Sequence, residues 1–200
     1  MQTFITYRGF AKTAASLDMQ RLGKQRAETL QILRALRHED TIVGNPWPYK
    51  MWEGYEEALV FYGLVITHEW RVVRGFRDDT WGQFVDIGKD YGMFDFVRPS
   101  KDGINWSGTG FALPPWLGED WILRSHRSRL IEKLAVHYGD QFGRTPENMP
   151  YLWPVFDESH RHGYRLFVSR ADLDRVNKGE RVLPRPIELI GNDGEVRITE

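Results

Sequence analysis

The sequence predicts a mainly α protein: a compact helical domain with three long helices and a small C-terminal β appendage. Three observations carry that expectation. Apolar residues recur at helical spacing through three segments between residues 18 and 138, each bounded by cap or breaker residues. Strand-like runs flanking a hairpin signal come only after Pro154. Hydrophobic residues make up 41% of the 200, with 8 Trp, 8 Tyr and 11 Phe, enough apolar surface to offset chain entropy without disulfides or a metal.

The first long helix is expected from an Asp18 N-cap to about His38, with Phe10 to Leu17 as a short helix or turn leading into it. Met19, Leu22, Leu30, Leu33 and Leu36 form its core-facing stripe. After the breaker cluster Asn45-Pro46-Trp47-Pro48, the spacing of Trp52, Leu59, Tyr62, Ile66, Trp70 and Val73 predicts a central core helix to about Arg74. Gly54 and Gly63 within it are expected to permit close packing, because glycine weakens a helix.

From Gly75 to Gly118 the pattern loosens, and Arg98-Pro99-Ser100-Lys101-Asp102-Gly103 and Trp106-Ser107-Gly108-Thr109-Gly110 read as loops. A third helix is expected over Glu119 to Tyr138, with Trp121, Leu123, Leu130, Ile131 and Leu134 buried, Arg124, Arg127 and Lys133 outside, and Gly139 ending it. Tyr164 to Val168 reads as a strand, and Ser169 to Asn177 as a short serine-capped helix. Ile187 to Ile190 and Val196 to Thr199 flank Asn192-Asp193-Gly194, a hairpin signal. The expected organisation is a helical domain over 1–150 with an α/β appendage over 151–200 packed on it.

Composition narrows the setting. The chain has no cysteine, which removes disulfide scaffolds, thiolate zinc sites and cysteine nucleophiles and fits a reducing, cytoplasmic home. The opening Met-Gln-Thr-Phe-Ile-Thr-Tyr-Arg lacks the pattern of a secretory signal, and no run approaches the roughly 18 apolar residues of a membrane span. No membrane partner is expected, and oligomeric state is not legible. The net charge of -1 says little, but its distribution says more. Residues 1–40 carry 7 Lys/Arg against 4 Asp/Glu, and residues 121–145 carry 5 against 2, so positive charge gathers in two segments that suit phosphates.

No metal-binding motif, P-loop or nucleophile elbow occurs. His160-Arg161-His162 is a weak metal signal that reads first as ordinary surface histidines, so no cofactor is expected. Arg21, Lys24 and Glu28 recur at i, i+3 and i+7 and share a polar helix face. Taken alone, that face reads as solvated, with Lys24 and Glu28 an ordinary i,i+4 pair worth about 0.3–0.5 kcal/mol.

The stretch Leu17-Asp18-Met19-Gln20-Arg21-Leu22-Gly23-Lys24-Gln25-Arg26-Ala27-Glu28 resembles the first catalytic helix of the phage-type pyrimidine-dimer DNA glycosylase/AP lyases, also called endonuclease V. A gapless match puts the family's Gln, Leu and essential Glu on Gln20, Leu22 and Glu28, while its Asp falls on Met19 with Asp18 one place early. Met-Gln-Thr-Phe, Leu-Asp-x-x-Arg-Leu-Gly-Lys-Gln-Arg and Met-Trp-x-Gly-Tyr-Glu look closer still to a bacterial branch of that superfamily. Ser128 to Ala135 is similar to the family's late basic helix, with Arg129 and Lys133 in the places of its DNA-backbone contacts. Tyr138 and Phe142, with His137, echo its aromatic end, and read equally as helix-end packing.

The resemblance implies a DNA glycosylase with AP-lyase chemistry on damaged or modified double-stranded DNA. An N-terminal α-amine would attack C1′ and form a Schiff base, and Glu28 would act as the acid/base carboxylate. Gln2 is a poor second residue for Met removal, so the amine is expected on Met1. Gln20, Arg21, Lys24, Arg26, Arg129, Lys133, His137 and Tyr138 would hold DNA, and Lys24 would be an alternative amine if burial acts on it. Two family arginines are replaced here, by Ala27 and Gln31. These replacements keep two rivals open: a non-catalytic DNA-binding protein on the same scaffold, and an enzyme acting on free nucleotides.

Overall fold

The computed structural model describes residues 2–41, 46–93, 97–100, 103–106, 110–146, 148–183, 188–191 and 196–198. The architecture is mainly α, as the sequence predicts. Packing groups the chain into two compact units, one of Met1–Thr3 with Gly9–Pro114 and one of Phe4–Arg8 with Pro115–Glu200. The expected division near residue 150 does not coincide with that grouping, in which residues 115–150 go with the C-terminal sheet.

In the first unit, α1 (Phe10–Ser16) leads into α2 (Met19–Leu36). Asp18 starts α2 by accepting the Gln20 and Arg21 amides on Oδ1 at 2.8 and 3.1 Å, a cap worth about 1 kcal/mol. Leu22, Leu30 and Leu33 are buried as expected, each side chain contributing about 1.5–3 kcal/mol. Met19 departs from that stripe and is 56% exposed, because helical side chains lean toward the N-terminus and one at the first position leans past the helix end. Leu36 is only half-buried at the other end.

The expected second helix is split. A short α3 (Trp47–Lys50) and a turn precede α4 (Glu56–His68), which continues as a π-helical turn, Glu69–Val73. Gly54 adopts φ +80, so it serves the turn before α4 rather than helix packing. Gly63 does pack, since a Cβ there would clash with the Phe84 ring. With Ala58 through Thr67 all buried, α4 is the core helix of this unit.

Two elements lie in the stretch where the sequence pattern loosens. Trp81–Asp90 is a helix, α5, whose Phe84 and Ile87 are buried one turn apart. Val97–Ser100 (β1) and Gly103–Trp106 (β2) pair antiparallel, with Val97 opposite Trp106 and Ser100 opposite Gly103. Pro99 is compatible with that ribbon because a two-stranded pair has free edges, where a missing N–H costs nothing. Asn45 and Ser107-Gly108-Thr109 lie outside the described residues.

In the second unit, a 3-10 turn (Pro115–Gly118) precedes α6 (Asp120–Lys133) and α7 (Ala135–Phe142). The expected single helix breaks at Leu134, whose φ of -157 and ψ of 74 are not helical, and Gly143, not Gly139, ends the second piece. Trp121, Leu123, Leu130 and Ile131 are buried, while Leu134, displaced by the break, is 36% exposed. The sheet runs β3 (Trp153–Phe156), β4 (Tyr164–Phe167), β5 (Glu188–Ile190), β6 (Val196–Ile198) in that order, parallel only between β4 and β5. Between β4 and β5 lies α8 (Arg170–Asn177), capped by Ser169 accepting the Asp172 amide at 3.1 Å. The β5–β6 hairpin is present, though Asn192-Asp193-Gly194 and Ile187 lie outside the described residues. No helix among the described residues is long and apolar enough to cross a membrane.

Candidate active site

One turn of α2 holds the beginning of the chain. Glu28 accepts the Gln2 backbone N–H on Oε2 at 2.9 Å, and Gln25, three residues earlier on the helix, donates Nε2–H to the Gln2 carbonyl at 2.7 Å. Spacing of i and i+3 puts both side chains on one side of the helix, where they satisfy donor and acceptor of the same residue. The Gln25 amide is oriented from behind, because the buried Tyr62 hydroxyl on α4 donates to Oε1 at 2.8 Å. Thr3 is fully buried, and its hydroxyl accepts from Trp52 Nε1 at 2.9 Å and donates to Met51 Sδ at 3.5 Å. Residues 2 and 3 are thereby fixed through both backbone and side chain.

Glu28 itself is half-exposed, and its Oε1 makes no hydrogen bond among the described residues. Lys24 is exposed one turn away and forms no ion pair with Glu28, so the ordinary i,i+4 reading of this face is not realised. The alternative-amine expectation for Lys24 called for a buried side chain, and this one is exposed. Arg21 lies 3.4 Å from Asp18 and donates to Gln20 Oε1 at 3.1 Å, so Gln20 and Arg21 sit together at the helix start. Ala27 and Gln31 are exposed. Met1 lies outside the described residues.

Arg26 stands apart from the polar face. Its guanidinium lies 4.5 Å over the Trp70 ring and bonds the Asp78 carboxylate, which is fully buried. Asp78 also accepts from Thr80 Oγ1 at 2.7 Å and the Trp81 amide at 2.8 Å, capping the start of α5. Burial raises the Asp78 pKa, but the hydrogen bonds from Thr80, Trp81 and Arg26 outweigh it and hold the carboxyl below its usual value. The Arg26 charge is therefore committed inside the protein, which conflicts with its expected role on phosphate.

The other expected DNA contacts belong to the second unit. Arg129 on α6 is paired with Glu132 at 2.7 Å, and Glu132 also receives Arg181. Lys133 is exposed at the end of α6, and His137 is exposed on α7. Tyr138 is fully buried, its ring stacked on Phe142 at 5.4 Å and met edge-on by His137, so it packs and has no free face for a base. His160 and His162 are neighbours with rings 5.5 Å apart, and no group of three metal-ligating side chains occurs among the described residues.

Gln25 and Thr3 were not singled out from sequence, and Tyr62 and Trp52 were read there only as core positions of a helix. One signal was present: Gln25 shares a buried line with Leu22, Thr29 and Leu33, and a buried side-chain amide requires a partner. Its partners, far along the chain, carry no pattern.

Residues 1–81 match the pyrimidine dimer DNA glycosylase family, a stretch that takes in the held N-terminal segment, α2 with Glu28, and α4. The match supports the resemblance carried by the α2 motif. No curated protein and no solved structure matches the chain.

Proposed function

We propose that this protein is a DNA glycosylase of the pyrimidine-dimer type, with AP-lyase chemistry, acting on damaged or modified duplex DNA through the Met1 amine and Glu28. The observation that carries the reading is the 2.9 Å bond from the Gln2 amide to Glu28. The Met1 α-nitrogen is separated from that amide nitrogen only by its own Cα and carbonyl carbon, so an acid on α2 and the terminal amine are tethered to one small region. A catalytic pair must share one reacting centre, and the shortness of this covalent tether supports that requirement.

The chemistry follows from that pair. A neutral α-amine, with an ordinary pKa of roughly 7.7–8.0, gives its lone pair to C1′, and the glycosidic bond breaks with its electrons leaving on the base, which takes up a proton. The amine sheds its protons as the sugar ring opens to the Schiff base, O4′ being protonated. Loss of a C2′ proton then expels the 3′ phosphate. Glu28 stabilises positive charge developing at the sugar and accepts the amine proton, and Gln25 is a positioning residue that holds the Gln2 carbonyl. Gln20, Arg21 and Lys24 supply polar and positive contacts beside the acid, and Arg129 and Lys133 supply phosphate contacts from α6.

Borohydride trapping tests the reading. Protein with a Met1 terminus verified by intact mass should be captured covalently on an abasic-site duplex, and the Glu28→Gln variant should bind the same duplex and fail to be captured. No adduct from the unaltered protein sinks the proposal. Exposed, uncharged Ala27 and Gln31 favour a second reading, a DNA-binding protein without chemistry, which predicts salt-dependent binding and no adduct.

A further inference from the structure

The π-helical turn and the loop that follows it form a surface that the α2 motif does not explain. Within 70–77, Val72, Val73 and Phe76 are 49%, 61% and 38% exposed, a concentration of apolar side chains unusual for a solvated loop. The loop is built rather than slack. The Phe76 amide donates to the Trp70 carbonyl at 3.1 Å, the Trp70 indole N–H donates to the Arg77 carbonyl at 2.8 Å, and the two rings stack at 4.3 Å. The Trp70 ring is seated on Gly23 of α2, where an added Cβ would come within 3.2 Å of it, and is covered by Arg26.

The charges around this strip are sorted. Glu69 is paired with Arg74 at 3.1 Å, and Asp78 is buried against Arg26. Within 69–79, what remains facing water is Arg71, Arg77 and one acid, Asp79. Neither Arg71 nor Arg77 meets a carboxylate among the described residues, and Arg71 is held 5.2 Å over the Trp81 ring. Two arginines bracketing an apolar strip fit a polyanion whose charged edge alternates with an apolar one, which describes a DNA strand beside its minor groove.

We propose that this surface is a second contact with duplex DNA, in which Arg71 and Arg77 neutralise phosphates of one strand and Val72, Val73 and Phe76 lie against the deoxyriboses of the minor-groove edge. The inference rests on the reading of the protein as DNA-acting, but it assigns a binding role to residues outside the Glu28 site. Its occupant is committed by charge: an acidic protein would satisfy the arginines, but would not give the linear salt dependence that counterion release from DNA produces.

The test measures Kd for a duplex carrying a tetrahydrofuran abasic analogue, by fluorescence anisotropy across a sodium chloride series. Each phosphate neutralised contributes about 0.9 to the log–log salt slope, so the Arg71→Gln/Arg77→Gln double variant should show a slope smaller by about 1.8. Val73→Ser should weaken binding several-fold at an unchanged slope, and its exposure protects the fold. Arg161→Gln/Lys178→Gln, which removes the same charge from the C-terminal unit, should leave the slope unchanged. An unaltered slope in Arg71→Gln/Arg77→Gln, an equal fall in the control pair, or no binding of the duplex by the unaltered protein overturns the proposal. A reduced slope in a protein that gives no borohydride adduct upholds this surface and removes the glycosylase chemistry, whereas an adduct with an unaltered slope does the reverse.

Discussion

Tyr62 on α4 and Gln25 on α2 share a buried hydrogen bond of 2.8 Å that decides which way the Gln25 amide points. With Oε1 taken by the hydroxyl, the NH2 group is the one left to meet the Gln2 carbonyl. A side chain in the core thus sets the position of a residue at the start of the chain. Tyr62→Phe should cost about 1–2 kcal/mol in urea unfolding, since it removes a buried hydrogen bond. It should also lower the rate of borohydride adduct formation while leaving duplex Kd within a factor of about two. Equal adduct rates in Tyr62→Phe and the unaltered protein would show that Gln25 does not position the terminus.

Gly63 of α4 lies against the Phe84 ring of α5, leaving no room for a Cβ. Gly63→Ala should destabilise the protein by about 1–3 kcal/mol despite alanine's better helix propensity, because the ring is locked in a packed core. Adding Phe84→Leu should recover part of that loss in a double-mutant cycle. Strictly additive losses would mean that the ring and the glycine do not compete for the same space.

Asp78 binds Arg26, Thr80 and the Trp81 amide from a fully buried position. Asp78→Ala should lower stability by about 3 kcal/mol, since it strands the Arg26 charge beneath Trp70 and uncaps α5. The folded carboxyl titrates below its unfolded value, so the stabilisation is present above pH ~4 and is lost as the pH falls further. Thermal unfolding of the variant should therefore show a smaller acid-induced fall than the unaltered protein.

His126 in the second unit is fully buried and neutral. Its Nδ1 accepts the Ile5 amide at 3.0 Å, so Nε2 carries the proton and donates to the Leu152 carbonyl at 3.2 Å. Burial lowers its pKa to about 4, against only a small opposing effect of the Leu152 carbonyl. Because the unfolded chain binds the proton more readily, stability is full above pH ~6.5 and falls as the pH drops through that value toward 4. The size of the loss is about 3 kcal/mol. His126→Leu should be less stable at pH 7.5, with the Ile5 amide left unpaired, and should lose less stability than the unaltered protein between pH 6.5 and 4.5.

The sequence displayed α2 almost complete, with its cap, its buried leucines and Glu28, because cap chemistry and helical period are local properties. The Ser169-capped helix and the β5–β6 pairing were legible for the same reason. Other features depended on distant partners. Trp52 satisfies the periodicity of α4 yet lies in a turn, held by Thr3 rather than by the helix. The two buried apolar positions of α5, Phe84 and Ile87, were too few to stand out among glycines and aspartates. The break at Leu134 has no glycine or proline to announce it. At the site, Glu28 was visible through resemblance, while the clamp on Gln2 was hidden because Gln25 and Tyr62 meet only after α2 packs on α4.

The π-helical turn at Glu69–Val73 is equivalent to one extra residue wound into the end of an α-helix. Deleting that residue would restore regular winding and swing everything after it by about 100° around the helix axis. Arg74, which now donates to the carbonyls of Ala15 and Leu17 at 3.3 and 2.8 Å, would be carried away from the end of α1. The extra residue is therefore an indexing device, and its removal would unlatch one helix by turning another.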